Sequence, residues 1–397
     1  MRTEFRRREF LKAGLAVAAV NCLGMTQADG MPDLDAGRWV SFRNGPANRG
    51  VSKSTLPENP KLLWEVPSAD GILSTPVIDN GEVYSGGLNG ELLCLDLASG
   101  KEKWKYSTAV GLAKNDLPPG FKAPLTLGKS LVYAGDDFGT MRAVDRKTGE
   151  LKWKVDTEAE IVGGAVLSQV SEDNPAQLIF GSHAERLYSL NSDTGELHWM
   201  FNTGGPVNGT PLVSGGKTFV TGCSEPFLFI VDVEKGDQAD KIELGSLLIA
   251  SAADVDSVIY FGTDAGVVYA MDLKEKKVVW EYSVPDRDYQ MHSSPAVTEE
   301  LVIIGSQDKY LHCIDRKTGK QRWEFRTRGR IDGSPVVVGE RVFFGSADKN
   351  VYGVNLADGK EVWRHNAGQA FTGSPAVADG KLVIGTDTTN GRLLCFG

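Results

Sequence analysis

The stretch GELLCLDLASGKEKW, from Gly90 to Trp104, decides the fold of this chain. We interpret it as a short strand, a tight turn and a second strand that ends in Trp. Variants of the same stretch recur along almost the whole sequence of 397 residues. An internal repeat of this kind overrides the usual division of such a length into separate domains.

Eight repeat units follow one another, and their starts are 40 to 48 residues apart. Each unit starts with a small or polar residue, then Pro or Ala, then a Val-rich strand; the starts are Thr75, Ala123, Gly164, Thr210, Ser251, Ser294, Ser334 and Ser374. A second strand ends in Gly, a third carries Asp or Asn, and a fourth ends in Trp. Four strands in about 40 to 45 residues indicate a propeller blade. No segment sustains the period of about 3.6 residues that a helical repeat needs.

The two ends of the repeat region predict how the ring closes. The last unit stops at Gly397 without a fourth strand, and residues 61–66 form a fourth strand with no blade before it. Joining them removes the exposed strand edges that an open sheet leaves. The sequence therefore predicts an all-β, eight-bladed β-propeller of four-stranded antiparallel blades, with the last blade closed by the N-terminal strand.

The turn unit carries a motif. Aligned on Trp, its six copies read CLDLASGKEKW (Cys94 to Trp104), AVDRKTGELKW (Ala143 to Trp153), SLNSDTGELHW (Ser189 to Trp199), AMDLKEKKVVW (Ala270 to Trp280), CIDRKTGKQRW (Cys313 to Trp323) and GVNLADGKEVW (Gly353 to Trp363). The first position faces a crowded interior, Asp or Asn accepts hydrogen bonds from its own turn, and Gly supplies a left-handed residue. Trp then buries about 200 Å² against its neighbours.

This motif resembles the tryptophan-docking motif of the pyrroloquinoline quinone (PQQ)-like repeat family, over about residues 60–397. Trp39 and Phe42-Arg43 also resemble a signature that precedes the first blade in bacterial BamB-like members. The structural docking role is expected of seven tryptophans: Trp64, Trp104, Trp153, Trp199, Trp280, Trp323 and Trp363. Unit four lacks Trp, and unit five has Lys276 in place of Gly, so blades four and five are predicted to be the least regular.

The N-terminus resembles an export signal. Residues 1–28 combine a basic start, an apolar run and a small-residue cleavage site, and Arg7-Arg8 resembles a twin-arginine motif. The apolar run is shorter than the roughly 20 residues of a membrane span, and a lipid anchor at Cys22 is a weaker alternative. We therefore predict a signal peptide at 1–28, an irregular arm at 29–59, a propeller at 60–397, and a location in the periplasm or cell envelope.

Charge and cysteine content exclude several functions. The formal net charge is -9 and no basic patch is visible, which argues against a nucleic-acid partner. Cys94, Cys313 and Cys395 occupy the small position of the motif and are interpreted as packed thiols, although an exported protein permits disulfides. No paired Cys or His spacing indicates a metal site.

The loops that enter the inner strands converge on the central channel of a propeller. The residues they offer as a funnel for a ligand or partner are Asn208, Tyr289, His292, Arg330, Asp332 and Phe371. The simpler interpretation is a solvated rim. The insertion at 112–122 is expected over this face, and the one at 168–177 over the opposite face.

The resemblance implies two functions. A BamB-like member is a non-catalytic binding scaffold in the bacterial cell envelope, with an envelope protein or peptide as partner. A PQQ-dependent dehydrogenase uses a calcium-bound quinone, a vicinal disulfide and a Trp platform. This sequence has no adjacent cysteines, and its tryptophans are all assigned to other roles. We therefore predict no cofactor and no catalytic residue, and keep PQQ with calcium for the alternative of a propeller oxidoreductase.

Overall fold

The computed structural model describes residues 36–113, 116–169 and 176–397, so the predicted signal peptide and Cys22 lie outside it. The described residues form strands and connecting turns, and among them we find no helix long and apolar enough to cross a membrane. Two strands precede the first blade, β1 (Val51–Ser52) and β2 (Leu62–Pro67).

The following strands form antiparallel sheets in chain order. Blade one comprises β3 (Val77–Asp79), β4 (Glu82–Gly86), β5 (Glu91–Asp96) and β6 (Glu102–Ser107). Blade two comprises β7 (Thr126–Leu127), β8 (Leu131–Gly135), β9 (Thr140–Asp145) and β10 (Leu151–Asp156). Blade three comprises β11 (Val166–Ser168), β12 (Gln177–Ser182), β13 (Arg186–Asn191) and β14 (Leu197–Asn202). Blade four comprises β15 (Leu212–Ser214), β16 (Lys217–Thr221), β17 (Phe227–Asp232) and β18 (Gln238–Glu243).

The second half repeats this arrangement. Blade five comprises β19 (Ala253–Val255), β20 (Val258–Gly262), β21 (Val268–Asp272) and β22 (Lys277–Tyr282). Blade six comprises β23 (Ala296–Val297), β24 (Leu301–Gly305), β25 (Tyr310–Asp315) and β26 (Gln321–Arg326). Blade seven comprises β27 (Val336–Val338), β28 (Arg341–Gly345), β29 (Asn350–Asn355) and β30 (Glu361–Asn366). Blade eight comprises β31 (Ala376–Ala378), β32 (Lys381–Gly385), β33 (Arg392–Phe396) and β2.

The chain is therefore an eight-bladed β-propeller, as predicted. The first strand of each blade is short and largely buried at the centre, and in seven of the eight blades it contacts the first strand of a neighbouring blade. The fourth strand is the exposed outer one. Each inner strand enters from one face of the ring, which we call the funnel face, and leaves at the other, which we call the arm face.

The predicted ring closure is confirmed. Strand β2 pairs antiparallel with β33, and Trp64 lies opposite Cys395. At one end of this strand pair, the amide of Lys61 donates to the carbonyl of Gly397 over 3.0 Å, and the amide of Gly397 donates to the carbonyl of Lys61 over 3.1 Å. The strand spans 62–67 instead of 61–66, a shift of one residue at each end. The blade that contains the C-terminal strand is thus completed by a segment that precedes blade one.

Adjacent blades are joined by the motif tryptophans. Each indole Nε1 donates a hydrogen bond of 2.7 to 3.0 Å to a backbone carbonyl of the next unit along the ring; the acceptors of Trp64, Trp104, Trp153, Trp199, Trp280, Trp323 and Trp363 are Leu97, Arg146, Ser192, Val233, Arg316, Leu356 and Pro60. The ring of Trp64 also lies over Gly100, whose φ is +70°, and a Cβ there would be 2.7 Å from the indole. Glycine is needed at this position for both reasons.

Blades four and five show how the two departures from the motif compensate each other. The position opposite Ile230, where the other blades have Trp, is Asp240. Lys276 adopts the left-handed conformation of the missing Gly, with φ of +52°, and its ammonium group forms an ion pair with Asp240. Because no indole covers this turn, a side chain fits there. Both blades keep four strands.

Of the predicted arm, residues 36–54 lie across the arm face of the channel, and from here on we call this segment the arm. Its carbonyls accept hydrogen bonds from the amides of inner strands around the ring, and the donor and acceptor pairs are Ile78 to Trp39, Leu127 to Val40, Val213 to Pro46, Asp254 to Ala47, Val297 to Arg49 and Val337 to Gly50. Strand β1 pairs in parallel with β27. Trp39 is completely buried. Apart from β1 the arm has no regular secondary structure, and it occupies the place where the inner edges of the sheets would otherwise lack partners.

Candidate funnel on the channel mouth

The loops that enter the inner strands share a three-residue pattern. The first residue is apolar and buried, the second is half-buried at the channel mouth, and the third is small. We call the second positions the mouth ring, and its members are Leu73, Lys122, Val162, Asn208, Ile249, His292, Asp332 and Thr372. The pattern explains why the second strand of most blades ends in Gly: a Cβ on Gly305 would be 2.4 Å from the Ile331 side chain of the following loop.

The hydroxyl groups that start units four to eight form a hydrogen-bonded arc just inside the mouth, which begins at blade three. We call it the hydroxyl arc. In it, a backbone amide of one blade donates to the hydroxyl of the next over 2.8 to 3.0 Å, with the pairs Gly164 to Thr210, Thr210 to Ser251, Ser251 to Ser294, Ser294 to Ser334 and Ser334 to Ser374. These bonds fix the spacing of the inner strands, and hence of the mouth ring.

Three predicted funnel residues lie in one network. Gln307 Nε2 is 3.1 Å from His292 Nδ1 and donates to Asp332 Oδ1 over 3.1 Å. Arg330 Nε pairs with the other oxygen of Asp332. The hydrogen bond that Arg330 donates to Asp332 and the negative charge of that carboxylate raise the pKa of Arg330. Tyr289 projects into solvent near this network, with 52% of its surface exposed.

Asn208 belongs to a second network across the mouth. Its Oδ1 is 2.7 Å from His183 Nε2, and its Nδ2 contacts Cys223 Sγ at 2.8 Å. Glu160 links His183 to Lys122: its carboxylate is 3.7 Å from His183 Nδ1 and 2.6 Å from Lys122 Nζ. Burial raises the pKa of the Cys223 thiol, so Cys223 is a poor nucleophile at neutral pH.

Phe371 is not a funnel residue. Its side chain is completely buried, and a Cβ on Gly345 would be 2.6 Å from it. It occupies the apolar first position of the loop pattern, whereas His292 and Asp332 occupy the second. The mouth residue of this loop is Thr372, whose hydroxyl donates to Asp387 Oδ2 over 2.8 Å. Aligning the loops on the Ser-Pro that follows, as in Ser374-Pro375, would have placed Thr372 correctly.

Sequence reasoning also missed Lys122, Glu160 and His183. Glu160 and Lys122 belong to the loops entering blades three and two, and His183 follows the second strand of blade three. These parts of the repeat differ from unit to unit, so no motif marks them. Asp137, which occupies in blade two the place of His183 in blade three, has its pKa raised by burial.

Exposed apolar side chains stand beside the mouth at blades one and two. Val110 and Leu117 are 85% and 81% exposed in the insertion that joins β6 to β7, and Phe138 is 62% exposed in the turn between β8 and β9. The insertion therefore lies on the funnel face, as predicted. The ends of the other insertion, Ser168 and Gln177, lie on the arm face, also as predicted, and residues 170–175 are outside the described part.

The arm face also has a depression, of about 400 Å³, lined by arm residues between Asn44 and Lys53 together with Thr298 and Glu299. Arg49 and Glu299 close one side of it with an ion pair of 2.7 Å. Apolar surface makes up most of its wall. It offers a shallow binding surface on the side of the ring opposite the funnel.

The fold and the docking contacts define a PQQ-like β-propeller. A family model described as outer membrane protein assembly factor BamB matches residues 51–282 and 287–396, and the chain belongs to this family. BamB of Burkholderia pseudomallei is 25% identical over 69% of this chain and 59% of its own length.

Quinoproteins match the same repeats. The dehydrogenase subunit of the quinone alcohol dehydrogenase of Gluconobacter oxydans is 27% identical over 42% of this chain, which spans only 27% of that relative. The crystal structure of quinohemoprotein alcohol dehydrogenase from Comamonas testosteroni superposes with a TM-score of 0.75 and 14% identity, covering 91% of this chain and 80% of that one. At this identity the likeness shows a shared fold.

Proposed function

We propose that this protein is an exported, non-catalytic binding scaffold of the bacterial cell envelope, and that its partner is an envelope protein or peptide. The observation that carries the proposal is the group of exposed apolar side chains at the channel mouth, Val110, Leu117 and Phe138. Exposed apolar side chains that lie together on a folded protein mark interaction sites, and hydrogen bonds join the two segments that carry these three.

These side chains are presented by anchored segments. Thr108 Oγ1 donates to the Pro119 carbonyl over 2.8 Å, which ties the two ends of the insertion together. Gly120 N donates to Asp137 Oδ1 over 2.7 Å, which ties the insertion to the turn that carries Phe138. A partner that binds here loses less free energy to loop ordering than one that must order a free loop.

The family supports a location in the envelope. Its BamB relatives are named for the assembly of outer membrane proteins, and the N-terminal sequence of this chain supports export by a twin-arginine-type signal. A rigid ring with exposed outer strands also suits pairing with an extended partner strand.

A quinone-dependent oxidoreductase is the second candidate, because quinoprotein dehydrogenases are among the relatives. The residues present do not fit PQQ with calcium. The sequence has no adjacent cysteines, and each propeller tryptophan is engaged with the neighbouring blade. Within the ranges that the structure describes, no three His, Cys, Asp or Glu side chains are grouped so as to hold a metal ion.

Photo-cross-linking in the producing bacterium tests the scaffold. A photoreactive amino acid at position 138 or 117 is expected to capture the same specific envelope protein. The matched control is position 279, because Val279 is 49% exposed on the outer strand of blade five, away from the mouth. Capture of the same proteins from position 279, or of abundant proteins alone, would contradict a partner site at the mouth.

Reconstitution tests the enzyme alternative. We expect that the purified protein mixed with PQQ and calcium does not reduce an electron-acceptor dye with alcohols or sugars. Dye reduction that requires both additions would overturn the non-catalytic assignment.

A further inference from the structure

Carboxylates lie beside the exposed apolar group of the channel mouth, the side chains of Val110, Leu117 and Phe138. Asp116 directly precedes Leu117 in the insertion, and Asp137 directly precedes Phe138 in the turn between β8 and β9. Asp116 is exposed and Asp137 is half-buried. Negative charge is therefore built into both segments that carry the apolar group.

The loop that enters blade three brings a third carboxylate to the same place. The backbone amide of Thr157 and its hydroxyl both donate to the carbonyl of Gly139 over 2.8 Å. A Cβ on Gly139 would be 2.3 Å from the carbonyl oxygen of Ala159, so the loop contacts the turn through the residues on both sides of Glu158. Glu158 is exposed, and it lies beside the turn that carries Phe138. We call these three carboxylates the acidic border: Asp116, Asp137 and Glu158.

The acidic border is not neutralised by cations of the described residues. None of its carboxylates lies within ion-pair distance of a described Lys, Arg or His; Lys122, at the end of the insertion, pairs instead with Glu160 over 2.6 Å. Lys114 lies outside the described residues. Burial raises the pKa of Asp137, and the negative charges of Asp136 and Glu160 act in the same direction. The apolar group is thus surrounded by net negative charge.

These surroundings restrict the chemistry of a partner that covers the apolar group. A partner with carboxylates at this place would meet like-charge repulsion. A purely apolar partner would remove water from the acidic border without giving it hydrogen bonds in return. Lys and Arg side chains avoid both costs, because their charged ends pair with carboxylates while their aliphatic stems cover apolar surface. The combination of exposed apolar and acidic side chains therefore favours a basic partner.

The opposite part of the mouth does not offer this combination. There, Arg330 is paired with Asp332, and Arg287 is paired with Glu324 over 2.8 Å. The exposed ring of Tyr289 lies near charges that are already matched within the propeller. A basic segment with apolar side chains gains more at the acidic border.

We propose that the apolar group and the acidic border together bind a positively charged segment of a partner protein, in which apolar side chains are interspersed with Lys or Arg. The inference rests on the proposed function, because it names the chemistry of the partner at the same site. The apolar side chains of the segment pack on the apolar group, and its basic side chains pair with the acidic border. A rise in salt concentration is expected to weaken the complex, because salt screens exposed charge pairs.

Mass spectrometry of the segment that is cross-linked to position 138 tests the chemistry of the partner. The scaffold function requires only that one specific envelope protein is captured. The inference requires in addition that the captured segment has a net positive charge and carries apolar residues. Specific capture through an acidic or uncharged segment would leave the scaffold function standing and overturn the inference.

Fluorescence anisotropy with synthetic peptides tests the acidic border itself. Two labelled peptides of equal length contain the same Phe and Leu residues, interspersed with Lys in one and with Glu in the other. The Lys peptide is expected to bind the purified protein and the Glu peptide is not. The triple variant Asp116→Asn, Asp137→Asn, Glu158→Gln should raise the Kd of the Lys peptide about tenfold, since three exposed charge pairs are lost. Phe138→Ser should also raise it, because apolar contact is lost.

The matched control removes three carboxylates from exposed positions on the arm face: Glu102→Gln, Glu196→Gln and Glu234→Gln. It should change the Kd of the Lys peptide by less than about twofold, because these positions lie across the ring from the mouth. Equal weakening by both triple variants would show that the peptide responds only to the net charge of the protein, and would overturn the inference. An unchanged Kd in the border variant would do the same.

Folding of the border variant is protected by its design. Asn at position 137 keeps an oxygen that can accept from the amide of Gly120. If the triple variant nevertheless fails to fold, the double variant Asp116→Asn, Glu158→Gln decides, because both of these side chains are exposed. It should raise the Kd of the Lys peptide about fivefold, and no change in Kd would overturn the inference.

Discussion

Cysteine burial separates the thiols of this protein into two kinds. Cys94, Cys313 and Cys395 lie opposite motif tryptophans and are completely buried, and burial raises the pKa of each to about 12. Cys223 is half-buried at the channel mouth, and all four are free thiols. The packed-thiol interpretation therefore describes three of them, and the fourth has a different environment.

Thiol labelling at pH 8 checks this difference. Cys223 is expected to react first in the native protein, since thiolate formation and access both favour it over the buried three. Mass spectrometry of tryptic peptides measures the modified site. In Cys223→Ser, labelling of the four described positions should require denaturant. Fast labelling of Cys94 or Cys313 in the native protein would show that the reagent reaches the small position of the motif.

A buried carboxylate anchors the arm at the residue scale. Asp79 is 1% exposed and forms ion pairs of 2.7 Å with Arg38 of the arm and 2.6 Å with Arg146 of blade two. Asp79→Ala leaves the buried Arg146 without its anion. We expect a loss of about 3 to 5 kcal/mol in the free energy of unfolding, measured in urea.

The control for Asp79 is Glu299→Ala. Glu299 also pairs with an arm arginine, Arg49, but it is 72% exposed, and exposed pairs contribute little. A change within about 0.5 kcal/mol is expected for it. Similar losses in the two variants would contradict a special role of burial at Asp79.

At the scale of the element, the turn unit works as a pair of positions on adjacent blades. Trp on one blade requires Gly on the next, because the indole lies where a Cβ would be, as for Trp280 over Gly319. Between blades four and five, an ion pair of Asp240 and Lys276 takes the place of this Trp-Gly contact. Lys276 lowers the pKa of Asp240, so this contact is present above the unfolded pKa of the carboxylate and is lost as the pH falls through the folded value.

Restoring the motif in blades four and five tests this coupling. The double variant Asp240→Trp with Lys276→Gly should raise Tm by a few degrees, because a docked indole buries more apolar surface than the exposed pair. Asp240→Trp alone should lower it, because Lys276 occupies the space of the indole. Differential scanning calorimetry measures both. Additive effects of the two changes would show that the positions are independent.

At the scale of the whole molecule, the strand β2 closes the ring. Trp64 donates to the carbonyl of Leu97 over 2.9 Å and packs over Gly100. Trp64→Ala should lower the free energy of unfolding by about 3 kcal/mol, the lower end for truncation of a buried Trp, because this indole is partly exposed.

Leu63→Ala is the matched control for the closure. Leu63 belongs to the same strand and is 48% exposed, so its truncation should change stability by less than about 0.5 kcal/mol. Urea denaturation measures both variants. A loss below about 1 kcal/mol in the free energy of unfolding for Trp64→Ala would contradict the conclusion that Trp64 stabilises the ring closure.

The arm fills the channel of the whole ring, and hydrogen exchange can measure this. In a chain that lacks residues 1–50, the inner-strand amides that donate to the arm should lose protection; they are Ile78, Leu127, Val213, Asp254, Val297 and Val337. Each loses its acceptor and faces the channel water. A chain that lacks only residues 1–35 is the control. Equal protection of these amides in both chains would show that the arm does not seal the channel.

The candidate site was partly predictable. His292, Arg330 and Asp332 lie in one network, because consecutive blades place equivalent loops side by side. Phe371 was misplaced by one loop position. The network around His183 depends on loop residues from blades two to four that share no motif, so their proximity follows from the ring and not from local pattern.

The sequence by itself determined the number of blades, the four strands of each and the split eighth blade, because strand pairing and the Trp-Gly contact repeat at a fixed spacing that is readable locally. Only the tertiary structure decided what fills the channel. The arm has no period, and it binds through backbone groups that every inner strand offers equally. From Gly90 to Trp104 the chain specifies a contact between neighbouring blades, whereas the path of the arm depends on the whole ring at once.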